Sequence, residues 1–239
     1  MFVHEQPLKA FKDTEGYIRY PVISTSVSAM SLQTAVDGVL NWIKTKQSHY
    51  VNVCTSDTMV QCYDQPELAS IVSNSGMATT DGMPLVIDGK LRGYAITRVY
   101  GPDLMLELCR QGLDKGVRHY FYGATNEVLE KLKNNLEAKF EDIQIAGMYS
   151  PPFRPLTQEE EDEVVVMINE ANPDIVWCGL GTPKQDYWVA EFQPKLHSSA
   201  CIAVGAAFNF HAGEIKQAPR WMMNTCLEWM FRLIVEPKR

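Results

Sequence analysis

Short apolar runs that each end at a glycine recur along this chain. The runs Arg118–Tyr122, Asp174–Cys178 and Cys201–Val204 are four or five residues long, and a glycine follows each of them directly. Helical patterns separate successive runs. Apolar strands that are linked through helices are typical of a parallel sheet, because such strands are buried on both faces. The pattern therefore predicts an α/β fold in which helices cover both faces of a mainly parallel sheet.

The other segments fit the same alternation. Strand patterns occur around Tyr20–Ser24 and at Tyr50–Thr55, Ala78–Thr80 and Ile143–Ala146. Apolar spacing and capping residues predict helices at Ser31–Gln47, Pro66–Ser73, Pro102–Lys115, Thr125–Phe140 and Thr157–Asn172, from about Lys184 onward, and at Trp221–Val235. No low-complexity linker interrupts the chain. We therefore predict one α/β domain at residues 1–220 and a C-terminal helical tail at residues 221–239.

The composition argues against several function classes. The net charge of −7 disfavours general nucleic-acid binding. No window approaches the roughly 18 uninterrupted apolar residues of a membrane span, and the N-terminus lacks the apolar core of a signal peptide. The six cysteines show no CxxC pair or zinc spacing, and the five histidines are dispersed. These features predict a cytoplasmic protein without a metal site or other cofactor.

Asp81 follows the predicted strand Ala78–Thr80 and precedes Gly82. This position places its carboxylate at the C-terminal edge of the sheet, where ligands bind in open α/β folds. Two interpretations are open. An Asp-Gly pair before an apolar segment usually caps a helix, here the segment that starts at Met83. Alternatively, Asp81 is a catalytic carboxylate. The residues alone favour capping.

The segment GLGTPKQ after one of the apolar runs is a candidate anion site. Gly179 and Gly181 allow the backbone to pass close to a ligand, while Lys184 adds a positive charge and Gln185 an amide. Gly205 likewise follows the apolar run Cys201–Val204 directly. The segment is neither a P-loop nor a dinucleotide fingerprint. It suggests a phosphate-bearing ligand, and a purely structural turn is an equal alternative.

Five segments of the chain closely resemble the WecG/TagA/CpsF glycosyltransferases, which form glycosyltransferase family 26. They are Thr79–Leu85, Arg98–Leu104, Ser150–Arg154, Gly179–Gln185 and Leu227–Leu233, and the likeness runs from about residue 20 to the end. The resemblance implies a Rossmann-like fold of the GT-E type. It also implies an inverting, metal-independent transfer of a sugar from UDP to a polyprenyl-diphosphate-linked saccharide. The products of such enzymes are cell-surface polymers such as exopolysaccharide, O-antigen or teichoic acid.

The resemblance assigns roles to individual residues. Asp81 matches the proposed catalytic base of the family, which reverses the preference for capping. Thr55 matches a polar pocket residue, and Arg98 and Gln185 match residues around the sugar and the diphosphate. Arg98, Lys184 and the glycine turn are the candidates for stabilising the leaving UDP.

Two positions depart from the family pattern. Asp57 stands where the family often has Asn, which is relevant to sugar choice, and Asn209 stands where it usually has Asp near the nucleoside. The alternative function is a non-catalytic UDP-sugar-binding module, in which Asp81 only caps a helix. A dehydrogenase is disfavoured because the dinucleotide fingerprint is missing.

The tail combines apolar and basic residues. Beyond Trp229 apolar residues occupy nearly every side of the predicted helix, and Arg232, Lys238 and Arg239 flank them. Such helices suit an anionic membrane surface. Because family members usually continue past this point with a basic appendage, the resemblance implies a truncated chain. The expected partners are a UDP-sugar, a lipid-linked acceptor and the inner membrane surface, and a homo-oligomer is compatible with the sequence.

Overall fold

The computed structural model describes residues 9–235, apart from the side chains of Arg232, Ile234 and Val235. The strands are β1 (Phe11–Lys12), β2 (Ile18–Val22), β3 (Thr25–Ser28), β4 (His49–Cys54), β5 (Met77–Thr80), β6 (Arg118–Gly123), β7 (Gln144–Tyr149), β8 (Ile175–Gly179) and β9 (Ala200–Ala203). The helices are α1 (Leu32–Thr45), α2 (Ser56–Asp64), α3 (Pro66–Asn74), α4 (Met83–Leu91), α5 (Gly101–Gly112), α6 (Asn126–Lys139), α7 (Gln158–Ala171), α8 (Lys184–Phe192), α9 (Ala207–His211), α10 (Arg220–Asn224) and α11 (Glu228–Val235).

Six of the strands form a parallel sheet in the order β5-β4-β9-β8-β6-β7. Their C-terminal ends therefore meet at one edge, where the pairing register sets Cys54 beside Thr80 and Gly123 beside Gly179. The prediction of a Rossmann-like, mainly parallel sheet is confirmed. β1, β2 and β3 form a separate antiparallel sheet.

Helices bury both faces of the parallel sheet, because alternate residues of a strand point to opposite faces. Phe121 and Trp177 belong to a core that they share with α1, α5, α6 and α9. Their neighbours Tyr122 and Cys178 belong to the core formed with α7 and α8. A third core joins α2, α3 and α4 to the N-terminal strands. The buried residues of β6, β8 and β9 therefore face mostly apolar surroundings on both sides of the sheet, which accounts for the continuous apolar runs of the sequence.

Polar side chains fix where several helices begin. Ser31 caps α1 and Thr125 caps α6, each through its side-chain oxygen. Thr157 and Glu160 form a reciprocal capping box at the start of α7. These caps confirm the predicted starts of the three helices.

Some local predictions were wrong. A hairpin replaces the single strand around Tyr20–Ser24, since the chain reverses at Ile23 with a left-handed φ of 54°. Two short helices, α10 and α11, replace the single helix predicted over Trp221–Val235. Between them Thr225 Oγ1 donates to the carbonyl oxygen of Trp221 at 2.8 Å, and Cys226 has a left-handed φ of 61°. A hydroxyl that bonds back to the preceding turn competes with helix continuation.

Candidate active site

The C-terminal edge of the parallel sheet brings together residues that the sequence places at strand ends. Thr55 follows β4, Asp81 follows β5, Gly179 ends β8, and Gly205 lies two residues after β9. β4 lies between β5 and β9 in the sheet. The turn at Thr55 therefore separates the turn at Asp81 from the two glycine turns, and all four lie at the edge where open α/β sheets bind ligands.

An arginine holds the Asp81 carboxylate. Arg98 Nη2 donates to Asp81 Oδ1 at 2.7 Å, and Arg98 Nε donates to the same oxygen at 3.1 Å and to the Asp81 backbone oxygen at 2.6 Å. Asp81 Oδ2 faces the Gly101 N–H at the longer distance of 3.5 Å. Both charged side chains are 13% exposed. Oδ2 is therefore the less engaged oxygen and the better placed to accept a proton.

Asp81 does not cap the helix that follows it. α4 has Gly82 at its N-cap position, and no side chain caps it by hydrogen bonding. The backbone N–H groups of Asp81 and Gly82 instead bond to the carbonyl oxygen of Cys54, at 2.9 and 3.2 Å. These bonds tie the Asp81 turn to the end of β4. The interpretation of Asp81 as a helix cap is therefore wrong.

The surroundings of Asp81 increase its affinity for a proton. Burial raises the pKa of Asp81 above its ordinary value, and the Arg98 guanidinium opposes this rise in part. The Glu228 carboxylate adds to the rise, since like charges disfavour ionisation. Burial lowers the pKa of Arg98, but Asp81 and Glu228 more than reverse that effect and leave it above the ordinary value. The pair thus joins a permanent cation to a carboxylate of raised basicity, an environment suited to a general base.

The C-terminal segment, residues 218–235, covers one side of the Asp81–Arg98 pair. Glu228 Oε2 accepts a hydrogen bond from Arg98 Nη2 at 2.8 Å, and the Met223 carbonyl oxygen accepts one from Nη1 at 3.4 Å. Met223 is buried against Tyr100, whose ring centroid lies 4.4 Å from the guanidinium carbon of Arg98. Sequence reasoning missed Glu228 as a site residue. It lies in one of the recognised motifs, but no pattern in the sequence links it to Arg98.

Gln185 joins the two glycine turns to each other. Its Oε1 atom accepts hydrogen bonds from the backbone N–H of Gly205 at 2.8 Å and from that of Gly181 at 3.2 Å. Its Nε2 atom donates to Thr182 Oγ1 at 3.4 Å, and the side chain is only 2% exposed. In this arrangement Gln185 fixes the shape of the turns rather than presenting its amide to the edge of the sheet.

Two glycines are needed at this edge for different reasons. A Cβ atom on Gly123, whose φ is 122°, would lie 2.8 Å from the carbonyl carbon of Gly179. Gly181 has a φ of 82° and open space around the position of a Cβ atom. The first glycine allows two strand ends to approach each other, whereas the second leaves room above the turn.

The remaining predicted residues surround this edge. Lys184 is exposed at the start of α8, and Asn209 is half-buried on α9. The Thr55 side chain caps α2, a helix that the sequence did not predict, and it forms a capping box with Thr58. Asp57 is exposed in the first turn of α2 and accepts a hydrogen bond from Gln61 at 2.6 Å.

A buried polar pair that sequence reasoning missed lies beside these turns. Asn52 Nδ2 donates to Asp186 Oδ1 at 2.7 Å. Asn52 Oδ1 and Asp186 Oδ2 are buried without a hydrogen-bond partner among the described residues. Burial raises the pKa of Asp186 to about 6, although the Asn52 hydrogen bond opposes the rise. The only signals in the sequence were a polar residue inside an apolar strand and an acid directly after Gln185.

The part of the chain that the structure describes contains no group of three or more His, Cys, Asp or Glu side chains that could hold a metal ion. Within the same part, no helix is both long and apolar enough to cross a membrane. The predicted membrane or acceptor contacts Lys238 and Arg239, and the side chain of Arg232, lie outside what the structure describes.

Comparisons with known proteins identify two relatives of this chain. Two similar proteins carry the name N-acetylglucosaminyldiphosphoundecaprenol N-acetyl-beta-D-mannosaminyltransferase. The one from Bacillus spizizenii is 28% identical over 180 residues, which make up 75% of this chain and 68% of that protein. The one from Bacillus subtilis is 30% identical over 170 residues, which make up 71% of this chain and 64% of that protein. The match thus spans about two thirds of each relative's length.

The family comparison covers more of the chain. The sequence profile of the glycosyl transferase WecG/TagA/CpsF family matches residues 20–239, which include every strand of the parallel sheet and every turn at its C-terminal edge. The chain therefore belongs to the WecG/TagA/CpsF family of glycosyl transferases.

Proposed function

We propose that this chain is an inverting glycosyltransferase that moves a hexose or N-acetylhexosamine-type sugar from a UDP-sugar to a polyprenyl-diphosphate-linked saccharide. The names of the two Bacillus relatives describe transfer of N-acetylmannosamine to N-acetylglucosaminyl diphosphoundecaprenol. Similarity to them makes these the first sugar and the first acceptor to test. The product belongs to bacterial cell-surface polysaccharide synthesis.

The Asp81–Arg98 pair is the observation that carries this proposal. The Asp81 carboxylate lies at the C-terminal edge of the sheet, its pKa is raised, and Arg98 holds it through Oδ1. Its Oδ2 atom has only a long contact of 3.5 Å to the Gly101 N–H. In the proposed step the acceptor hydroxyl oxygen attacks the anomeric carbon while the bond from that carbon to the UDP oxygen breaks. Asp81 Oδ2 takes the hydroxyl proton, and UDP leaves with the bonding electrons. General-base catalysis of this kind contributes roughly 10²–10⁴-fold to a rate.

Cations at the same edge favour departure of the diphosphate. Arg98 stays charged beside Asp81, and Lys184 is exposed at the start of α8. The positive end of the α8 helix dipole adds to their effect. Transition-state charge that develops on the leaving group can be stabilised by such fixed cations and dipoles, without a metal ion.

We also propose that the protein works as a peripheral protein at the inner face of the cell membrane, since the proposed acceptor is lipid-linked. Trp221, Trp229 and Leu233 are about 60% exposed in the C-terminal segment, next to the Asp81–Arg98 pair. Large exposed apolar side chains beside a site are typical of membrane-proximal surfaces.

A non-catalytic UDP-sugar-binding module is the second candidate. It is favoured by the ion pair itself, because Arg98 and Asp81 could serve only to fix the turn, and structural ion pairs also perturb pKa values.

Transfer assays separate the two candidates. Purified protein is incubated with UDP-N-acetylmannosamine and a short-chain prenyl-diphosphate N-acetylglucosamine, and the product is followed by mass spectrometry. The enzyme predicts a disaccharide product and free UDP. Thermal-shift measurements with a panel of UDP-sugars identify the donor, since a ligand of the folded state raises apparent stability. Stabilisation by a UDP-sugar without any transfer would support the binding module.

A further inference from the structure

One nitrogen of Arg98 is shared between two carboxylates from distant parts of the chain. Arg98 Nη2 lies 2.7 Å from Asp81 Oδ1 and 2.8 Å from Glu228 Oε2. Glu228 begins α11, the last helix, and its side chain is 17% exposed. Charge-assisted hydrogen bonds of this length are about twice as strong as neutral ones. The contact therefore couples the C-terminal segment to the candidate base through Arg98.

All three side-chain nitrogens of Arg98 are engaged in this arrangement. Nε bonds to Asp81, Nη2 to Asp81 and Glu228, and Nη1 to the Met223 carbonyl oxygen. A guanidinium is a planar fork, so fixing each of its arms fixes its orientation. Two of the three arms depend on the C-terminal segment.

We propose that Glu228 is a positioning residue for the candidate active site: it orients the Arg98 guanidinium against Asp81 and places a second negative charge beside that carboxylate. The proposal rests on the proposed role of Asp81 as the general base. It adds to that role a residue from the C-terminal segment that sets both the geometry and the basicity of the base.

The charges around Asp81 support this role. Arg98 faces Asp81 from the loop before α5, the buried Cys54 thiol from β4, the Gly101 N–H from α5, and Glu228 from α11. A further charged pair is Arg220 of α10 with Asp103 of α5, joined by hydrogen bonds of 2.6 and 2.8 Å. Its two charges offset each other, so Glu228 is the carboxylate that acts on Asp81. It raises the pKa of Asp81, in addition to the effect of burial.

Three variants separate positioning from mere docking of the segment. Glu228→Gln removes the charge and keeps the shape, Glu228→Asp keeps the charge, and Asp103→Asn breaks the other ion pair that ties the C-terminal segment to the body of the protein. For each, kcat/KM is measured against pH. We expect Glu228→Gln to lose on the order of tenfold in kcat/KM at neutral pH, the value of one charged hydrogen bond. We also expect the acid limb of its pH profile, which is the fall in kcat/KM as the general base becomes protonated, to move to lower pH.

The controls should behave differently. Glu228→Asp should keep the position of the acid limb. Asp103→Asn leaves Arg220, which is 64% exposed, without its partner carboxylate, so its acid limb should move less than that of Glu228→Gln. A Glu228→Gln profile with the parental acid limb would overturn the proposal, and so would an equal shift in Asp103→Asn. Circular dichroism verifies that each variant is folded.

A second measurement does not depend on transfer. The carboxyl carbon of Asp81 is titrated by ¹³C NMR in the parent and in Glu228→Gln, and Asp81→Asn assigns the signal. The proposal predicts a lower pKa for Asp81 in Glu228→Gln. If the parent shows no transfer, the proposed function fails while this titration still decides the role of Glu228. An unchanged Asp81 titration would refute that role even in an active enzyme.

Discussion

Asn52 donates a hydrogen bond from Nδ2 to Asp186 Oδ1 at 2.7 Å and thereby joins the middle of β4 to the first turn of α8. Both side chains are at most 1% exposed. The pair lies beside the residues that form the glycine turns, yet it contacts neither Asp81 nor Arg98 among the described hydrogen bonds. It is therefore a buried ionisable site whose effect on stability can be measured separately from catalysis.

Asp186 should make the protein less stable as the pH rises. Its pKa is raised from 3.8 to about 6, so between these values the folded protein holds a proton that the unfolded chain has lost. Stability then falls with increasing pH. Asp186→Asn removes this dependence. Between pH 4 and pH 7 the free energy of unfolding of the parent should therefore fall, relative to that of Asp186→Asn, by up to about 3 kcal/mol, at about 1.4 kcal/mol per pKa unit.

Urea unfolding across that range measures the difference, with the exposed Asp114→Asn as control. A difference that stays constant with pH would contradict the assignment.

Lys184 and Gln185 are neighbours with opposite expected effects. Lys184 is exposed, so Lys184→Ala should weaken UDP binding on the order of tenfold and change stability by less than about 0.5 kcal/mol.

Gln185→Leu leaves the N–H groups of Gly181 and Gly205 without their acceptor, which should cost about 1–3 kcal/mol of stability. Calorimetry with UDP and chemical unfolding test both variants. If Gln185→Leu is as stable as the parent, Gln185 does not fix the shape of the two turns.

Transfer activity should survive chelation of metal ions. The sequence has no DxD motif, and the described residues contain no metal-ligating cluster. The proposed stabilisation of the leaving group comes instead from Arg98 and Lys184. Activity is compared before and after dialysis against EDTA, and again after addition of Mg²⁺ or Mn²⁺. If activity is lost on chelation and recovers when metal is added, a metal ion rather than Arg98 and Lys184 stabilises the leaving group.

The exposed apolar residues of the C-terminal segment should bind anionic membranes. Trp229 and Leu233 are 60% and 61% exposed. Replacing both with Ala should reduce the fraction that floats with anionic liposomes on the order of tenfold, since each buried apolar side chain is worth about 1.5–3 kcal/mol. Leu91→Ala is the matched control, because Leu91 is 83% exposed on α4, outside the segment. Flotation should also weaken at high salt. Equal flotation of both variants would rule out this surface as the membrane contact.

The sequence predicted the sheet well because the information was local. Within the predicted segments Arg118–Tyr122 and Asp174–Cys178, residues 119–122 and 175–178 are buried between helices on both faces of the sheet, so their apolar content directly indicates a parallel strand. The caps at Ser31 and Thr157 are equally local, since each contacts its own helix. The position of Asp81 at a strand end followed from the same pattern.

The contacts that define the site could not be predicted in this way. Glu228 reaches Arg98 across 130 residues, and Asn52 reaches Asp186 across 134. Neither contact follows a helical or strand period, so both emerge only when the sheet and the C-terminal segment are assembled. Gln185 was expected to face a ligand, but its amide oxygen was already required by two backbone N–H groups from separate turns.

The role of Asp81 as the general base is tested most directly by the turnover of Asp81→Asn. The carboxamide keeps the size of the side chain and can still accept a hydrogen bond from Arg98, so UDP-sugar binding should persist. We expect kcat to fall at least about 10²-fold, the low end for loss of a general base. The exposed Asp114→Asn should retain the parental kcat. An Asp81→Asn enzyme that turns over at the parental rate would show that Asp81 is not the general base.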